Sequence, residues 1–350
     1  MSYNSLFGLG THSADADLQG HWLMQDNAAN TTVVDATGNN DGTLIGGDNT
    51  ADISTTGPGW PSAALDLDGT SDYINVGDVL DLQSDELTLG IKAKPTSTTQ
   101  TSALLGRDNG TVNTSYTLVQ TASRYQFRIS ADTNDCFAGT PIGGPSTSWQ
   151  DVTGIYDGSR VYIRVDGTTY AGDTNSGNID SITQSLEIGA RDGGTIPFNG
   201  DIAHAFIFSR GLTEAEADEA HAGPEPLNLT APTVSGTHET GETLTATDGT
   251  WDSQANGTIT YSYQWQVADD ASGTNAADIS GATGSTYTLT ASDENKYVRA
   301  TIVASNDGGS DPSEDQATAW TLVTSGGGGP TFQPAWAINA TMIATRTVIQ

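Results

Sequence analysis

Asp35, Asn39 and Asp41 stand close together in the chain, with Gly38 and Gly42 free to make the tight turns that gather their oxygens. Hard cations take carboxylate and carbonyl oxygens from loops of this kind, so binding a structural calcium ion is one chemistry the spacing can do. An Asx-rich turn, in which the same side chains cap the chain's own amides, is the other. Asp201 is a further acid that a cation site could recruit if its strand register allows.

Catalytic constellations are missing by type or by spacing. Retaining glycoside hydrolysis needs two carboxylates about 5 Å apart on one strand face. The nearest string, Glu214-Ala-Glu216-Ala-Asp218-Glu219, falls where a helix is expected. There is no HExxH motif, no pair of cysteines and no nucleophile-elbow glycine pattern. No catalytic or cofactor-binding residue is expected, and the chain reads as non-enzymatic. Cys136, the single cysteine, excludes an internal disulfide and reads as a small buried apolar residue. His204 reads as a packed or edge-exposed histidine, because no second histidine or acid sits two residues away.

Forty-three acidic residues against twelve basic ones give a net charge of -31. Affinity for nucleic acid comes from neutralising phosphates with Lys and Arg, so neither nucleic acid nor an anionic membrane surface is an expected partner. No stretch approaches the roughly eighteen consecutive apolar residues of a membrane-spanning helix, and Met1 to Gly10 lacks the basic and apolar regions of a secretory signal.

The elements that must position these residues are strands. Tyr125, Phe127 and Ile129 alternate with Arg124, Gln126 and Arg128, while Val161, Ile163 and Val165 alternate with Tyr162 and Arg164 before a hairpin signal at Asp166-Gly167. Leu87, Leu89 and Ile91 repeat the pattern, as do Ile202, His204, Phe206 and Phe208. Thr213-Glu-Ala-Glu216 is a capping box that opens a short helix to about His221, stopped by Pro224 and Pro226.

Five ordered blocks carry a family resemblance: Leu18-Gln-Gly-His-Trp-Leu-Met24, Asp35-Ala-Thr-Gly-Asn-Asn-Asp-Gly-Thr-Leu44, Ala64-Leu-Asp-Leu-Asp-Gly-Thr-Ser-Asp-Tyr73, Leu186-Glu-Ile-Gly-Ala190 and Phe198-Asn-Gly-Asp-Ile202. With Ser209-Arg-Gly-Leu-Thr-Glu-Ala-Glu216 after them, they resemble the laminin-G-like, concanavalin A-like jelly-roll domain. The resemblance implies sugar or protein binding, often with a structural calcium, and glycan hydrolysis in some relatives. It also implies an acid after the isoleucine of the last strand, where this chain has Ala203.

A second domain starts at Ala231-Pro-Thr-Val234. Ile259, Tyr261, Tyr263, Trp265 and Val267 alternate along one strand, and Tyr297 to Ser305 is a long β-branched run. Trp265, with Asp293-Glu-Asn-Lys-Tyr297, resembles the core tryptophan and tyrosine corner of an immunoglobulin-like fold, with Arg299 where the second cysteine of an antibody domain would be. Such modules, in bacterial surface and phage proteins, act as spacers or adhesive arms.

The expected fold class is therefore all-β: a concanavalin A-like jelly-roll sandwich plus a smaller immunoglobulin-like β-sandwich, with a short C-terminal apolar tail. The expected divisions are an N-terminal arm (1–17), a jelly roll (18–223), a linker (224–230), an immunoglobulin-like domain (231–324) and a glycine-hinged tail (325–350). No acid follows Asp315, and the tail presents Phe332, Trp336, Ile338, Met342, Ile343, Val348 and Ile349. A β-prone segment of this kind pairs as an added strand or docks in a groove, so these residues are the expected anchor.

Together these features predict a virion surface structural protein of a tailed phage, a head decoration, fibre or tail component. It forms a homo-oligomer, with other virion subunits and a host-surface glycan as partners. The alternatives are a bacterial cell-surface adhesin and, behind it, a glycan hydrolase.

Overall fold

The computed structural model describes residues 7, 15–25, 29–47, 52–54, 57–58, 60–61, 63–110, 115–224, 226–253, 258–306, 309–311 and 317–326. The tail residues Phe332, Trp336, Ile338, Met342, Ile343, Val348 and Ile349 lie outside them. The chain divides into two compact units: Met1–Thr230 with Thr250–Tyr261 and Val303–Ser313, and Ala231–Gly249 with Ser262–Ile302 and Glu314–Gln350.

In the first unit the described strands open with β1 (Leu18–Leu23), β2 (Thr32–Val33), β3 (Gly42–Ile45), β4 (Ile53–Ser54), β5 (Ala64–Asp68) and β6 (Tyr73–Gly77). There follow β7 (Leu87–Pro95), β8 (Ser102–Arg107), β9 (Tyr116–Thr121), β10 (Arg124–Ala131), β11 (Asn134–Gly139) and β12 (Gln150–Tyr156). The series closes with β13 (Arg160–Val165), β14 (Thr168–Thr174), β15 (Leu186–Ile188) and β16 (Asn199–Phe208). They make two sheets. The first runs β14-β13-β12-β7-β16-β5-β4 with β1 also on β16, and the second runs β11-β10-β9-β8-β15-β6-β3-β2.

Alternation decides which side of each strand is buried. Tyr125, Phe127 and Ile129 of β10 join Leu87, Leu89 and Ile91 of β7 and Val161, Ile163 and Val165 of β13 in one core between the sheets. Arg124, Gln126 and Arg128 point the other way and are half-buried. Each large apolar side chain taken out of water there contributes about 1.5–3 kcal/mol, which is why the period-two pattern fixes the faces. The hairpin between β13 and β14 turns at Asp166 and Gly167, with φ of 45° and 78°, the left-handed pair a tight two-residue turn requires.

β16 departs from the sequence pattern. Alternation alone puts Ile202 on the face of His204, Phe206 and Phe208, but the register shifts between Ile202 and His204. Ile202, Ala205 and Ile207 face the central core, whereas Phe206 and Phe208 build a second cluster on the outer side of the first sheet. The bulge falls where the neighbour of β16 changes from β5 to β1. Gly90 on β7 lies opposite Phe206. A Cβ there would come within 2.0 Å of the Phe206 ring, so only glycine fits under it.

The second cluster is covered by α1 (Glu214–Ala222), which buries Ala217, Ala220 and His221. Its start follows the capping box: Thr213 Oγ1 accepts the Glu216 N–H at 3.3 Å, and the Thr213 N–H donates to Glu216 Oε2 at 2.9 Å. Partial burial acts upward on the Glu216 carboxyl, yet bonds from Arg210 and Thr213 hold it down at about 2. Thr213→Ala is expected to cost about 1 kcal/mol in urea unfolding. An unchanged midpoint would mean the cap does not hold the helix.

In the second unit, Val234–Ser235, Thr243–Ala246 and Thr286–Thr288 form a three-stranded sheet. Trp265, fully buried, centres a core with Leu244, Leu289, Val298, Ile302 and Val323. Its indole N–H donates to the Gly284 carbonyl at 2.9 Å, which satisfies the one polar atom it carries inward.

Candidate functional site

Register across the second sheet sets one row of side chains on its outer face. Thr43 is opposite Asn75, Asn75 opposite Glu187, and Glu187 opposite Gly106. Gly106 is opposite Thr117, Thr117 opposite Arg128, and Arg128 opposite Phe137. Facing residues of antiparallel strands share a side. Their sequence neighbours Ile74, Ile188, Leu105, Leu118, Phe127 and Cys136 lie in the core, so the row points outward.

Gly106 is the dip in this row. A Cβ there would meet the Tyr116 carbonyl at 2.4 Å, so the position cannot carry a side chain, and Glu187 and Thr117 flank a bare stretch of backbone. Glu187 is 1% exposed and accepts the N–H of Gly193 at 2.9 Å and of Gly194 at 3.4 Å, from the hairpin Arg191–Thr195 that folds over it. Burial raises its pKa, with the two amides opposing. The Tyr73 phenol beside this hairpin is raised as well, by burial and then by the Glu187 charge.

Three polar atoms of this sheet and of the hairpin beside it are buried without a partner: Ser115 Oγ, Thr117 Oγ1 and Arg191 Nε. Ser115 and Thr117 alternate with core Tyr116 and so face outward. Arg191 is held by Asp108, Nη1 to Oδ2 at 2.8 Å. A buried orphan of this kind costs about 1–3 kcal/mol, and three on one face form a half-filled set of donors and acceptors. Sequence reading missed this site. The one local signal is Glu187 itself, a charge between Leu186 and Ile188 where both neighbours are core.

The cation candidates lie elsewhere and are not gathered into one site. Asp35 is buried, and Oδ1 accepts the N–H of His21 at 2.9 Å and of Thr37 at 3.0 Å. Oδ2 accepts the Asn40 N–H at 3.0 Å and the Thr37 hydroxyl. A carboxylate has about four lone-pair positions, and the loop's own donors use them. Asp41 accepts the Asp35 N–H at 2.9 Å, while the Asn39 side chain donates to the Thr37 carbonyl at 3.2 Å in the exposed part of the loop. Asp201 sits on β16 opposite Asp66 and Lys94 and is ion-paired to Lys94 at 3.1 Å. This donor set does not fit a calcium ion. Among the described residues no group of three or more His, Cys, Asp or Glu is set to hold a metal.

His204 is packed, and it has partners that its own strand does not reveal. His221 Nδ1 lies 3.3 Å from His204 Nε2, and His221 Nε2 lies 2.9 Å from Thr153 Oγ1. The His21 ring is 6.0 Å from that of His204 and 4.1 Å from Phe7. Burial holds His21 down at about 3 against the pull of Asp35, and His221 at about 4 against that of Asp151. His204 is lowered by burial and then by His221, His21 and Lys92, next to which a further positive charge is disfavoured. Sealed under α1, the three rings are part of the packing.

A two-sheet sandwich with a polar outer row is the build of the concanavalin A-like lectin and glucanase class, and residues 68–218 match the model of the concanavalin A-like lectin/glucanases superfamily. The first unit therefore contains a domain of this type. Among solved structures, domain 4 of the GH43 extracellular arabinanase AbnA from Geobacillus stearothermophilus, in complex with arabinotriose, is 22% identical with a TM-score of 0.41, covering 59% of this chain and 98% of that one. The CBM40 of Ruminococcus gnavus IT-sialidase is 17% identical with a TM-score of 0.33, over 41% of this chain and 85% of that one. Trypanosoma rangeli sialidase in complex with sialic acid is 16% identical with a TM-score of 0.43, over 61% of this chain and 34% of that one. No curated protein sequence matches the chain.

Proposed function

We propose that the first unit binds glycan on the outer face of its second sheet, without hydrolysing it. The observation that carries this is the set of buried, unpartnered atoms Ser115 Oγ, Thr117 Oγ1 and Arg191 Nε on this sheet and its hairpin. Sugar hydroxyls both donate and accept, and they match such a set at a rim of half-buried Tyr73, Asn75 and Arg128. Glu187 has no second carboxylate in its row, and Asp201, which faces Asp66, is ion-paired to Lys94 at 3.1 Å, so neither arrangement offers the free acid and nucleophile of a glycosidase.

Thr117→Val tests the reading. The hydroxyl makes no bond within the protein, so its loss leaves stability unchanged or raises it by up to about 1 kcal/mol. Binding on a glycan array is expected to fall about tenfold in the same variant. Glycan binding that Thr117→Val leaves untouched would sink the assignment of this face.

The finer reading places this module on a tailed-phage virion as a non-enzymatic structural protein. It sits in a homo-oligomer anchored by residues 325–350, with the second unit as an immunoglobulin-like spacer. Its support is the near-neutral apolar tail in a chain of net charge -31. Deleting residues 326–350 is expected to give a folded protein that no longer enters the particle, and unchanged incorporation would refute the anchor.

A further inference from the structure

Resting on the glycan-binding reading, we infer that the sugar taken on this face is anionic. Arg124 and Arg128 grip a carboxylate or sulfate ester that it carries. The two arginines alternate outward on β10 with Gln126 between them. At about 3.4 Å per residue their Cα atoms stand about 14 Å apart, more than one sugar ring.

The pairing of cations in the chain singles them out. Forty-three acids surround twelve basic residues. Lys92, Lys94, Arg107, Arg164, Arg191, Arg210 and Lys296 all make ion pairs. Arg299 lies over the Trp320 ring and bonds Gln266. Among the described residues Arg124 and Arg128 make no ion pair, and Arg128 only donates to Gln126 Oε1 at 2.6 Å. Arg160 also lacks an ion pair, but it stands singly beside the turn at Asp157.

No carboxylate stands in register with them, and Asp173 on β14 accepts the Phe137 N–H at 3.1 Å. Across β9 they face Thr121 and Thr117, and Gln126 faces Val119. Across β11, Arg128 faces Phe137 and Gln126 faces Gly139. The next outward acid on β11, Asp135, is engaged by the Ser130 hydroxyl. At Gly139 a Cβ would lie in ordinary contact, 3.5 Å from Gln126 Cγ and 3.6 Å from Arg124 Cδ, so both side chains lie along this glycine. Phe137, 49% exposed, offers a ring face beside Arg128, and the orphan hydroxyl of Thr117 is in register with the same arginine.

A guanidinium fork binds carboxylate and sulfate through two parallel hydrogen bonds. The net charge of -31 repels a polyanion at long range. Screening over about 8 Å at physiological salt leaves short-range contact to a sparsely charged oligosaccharide as the workable mode.

The test uses the full chain and matched pairs of saccharides: trigalacturonate against its methyl ester, and sulfated against unsulfated galactose trimers, within a glycan array of further acid and neutral pairs. Anionic members are expected to bind at least tenfold tighter than their neutral partners. Arg128→Ala and Arg124→Ala should erase that difference, and Arg128→Lys, which keeps charge but loses the fork, should restore only part of it. A preference for carboxylate or for sulfate tells which anion is read. If neutral members bind as tightly and both arginine variants are silent while Thr117→Val still weakens binding, this inference falls and the glycan reading stands. If no saccharide binds in a Thr117-dependent way, both fall.

Discussion

Lowering the pH from 7 to 5 is expected to remove several kcal/mol from the stability of the first unit, through its buried histidines. His21, His204 and His221 are buried neutral with pKa values below the ordinary 6.5, at about 3 for His21 and about 4 for His221. In the unfolded chain they titrate near 6.5. The unfolded state therefore binds more protons below that pH, and stability falls as pH falls, in a window from 6.5 to about 4 for His221 and to about 3 for His21. Each histidine contributes a slope of about 1.4 kcal/mol per pH unit, so three together give about 4, against a usual total of 5–15. Carboxylates such as Glu216, held at about 2, contribute with the same sign in a lower window, as pH falls from the ordinary 4.5 to about 2. Urea unfolding at pH 7, 6 and 5 separates the two, and His204→Leu should flatten the slope by about one proton. A stability that is level from pH 7 to 5 would show that the rings are hydrated.

Arg107→Met is expected to cost about 3–5 kcal/mol, the usual result of breaking a buried charged network from one side. The side chain is fully buried and donates to the Val79 carbonyl, to the Ile182 carbonyl at 2.5 Å and to Asp78 Oδ1 at 2.8 Å, with Asp81 at 3.8 Å. Tyr116 adds a bond to the Leu80 carbonyl at 2.6 Å, so β8 and β9 together hold the loop after β6. Removing the guanidinium strands the carbonyls of half-buried Val79 and Ile182. Asp78→Asn removes the other end of the ion pair, but that carboxylate is more than half exposed, and its loss should cost under about 1 kcal/mol. Equal losses from the two variants would mean that the charge pair, rather than the carbonyl bonds, carries the network.

The sequence shows faces and ends better than it shows neighbours. Period-two alternation places Tyr125, Phe127 and Ile129 inward and Arg124, Gln126 and Arg128 outward, and the Thr213 capping box and the Asp166-Gly167 turn stand where their residue types require. These are local rules, satisfied within a few residues. The bulge after Ile202 is not local, because it follows from the change of neighbour from β5 to β1. The histidine cluster shows the same limit, since the partners of His204 come from α1 and β1 rather than from two positions along its own strand. Thr117, Gly106 and Glu187 form a row only through the register of three strands separated in sequence by up to 81 residues. For Asp35 the residue types left two readings open, and the geometry is that of a turn whose own amides take the oxygens.

Pairing of β1 with the far half of β16 has a consequence for synthesis. Leu18 is opposite Phe208, so at roughly 5–20 residues per second the first strand waits on the order of ten seconds or more before its partner leaves the ribosome. During that wait Trp22 has no core to enter, and the nascent chain exposes an unpaired apolar strand that other copies can capture. The same closure brings the two ends of the unit side by side. A circular permutant that joins β1 to the end of α1 and opens the chain between β14 and β15 should fold with that delay removed, and it should aggregate less when expressed quickly.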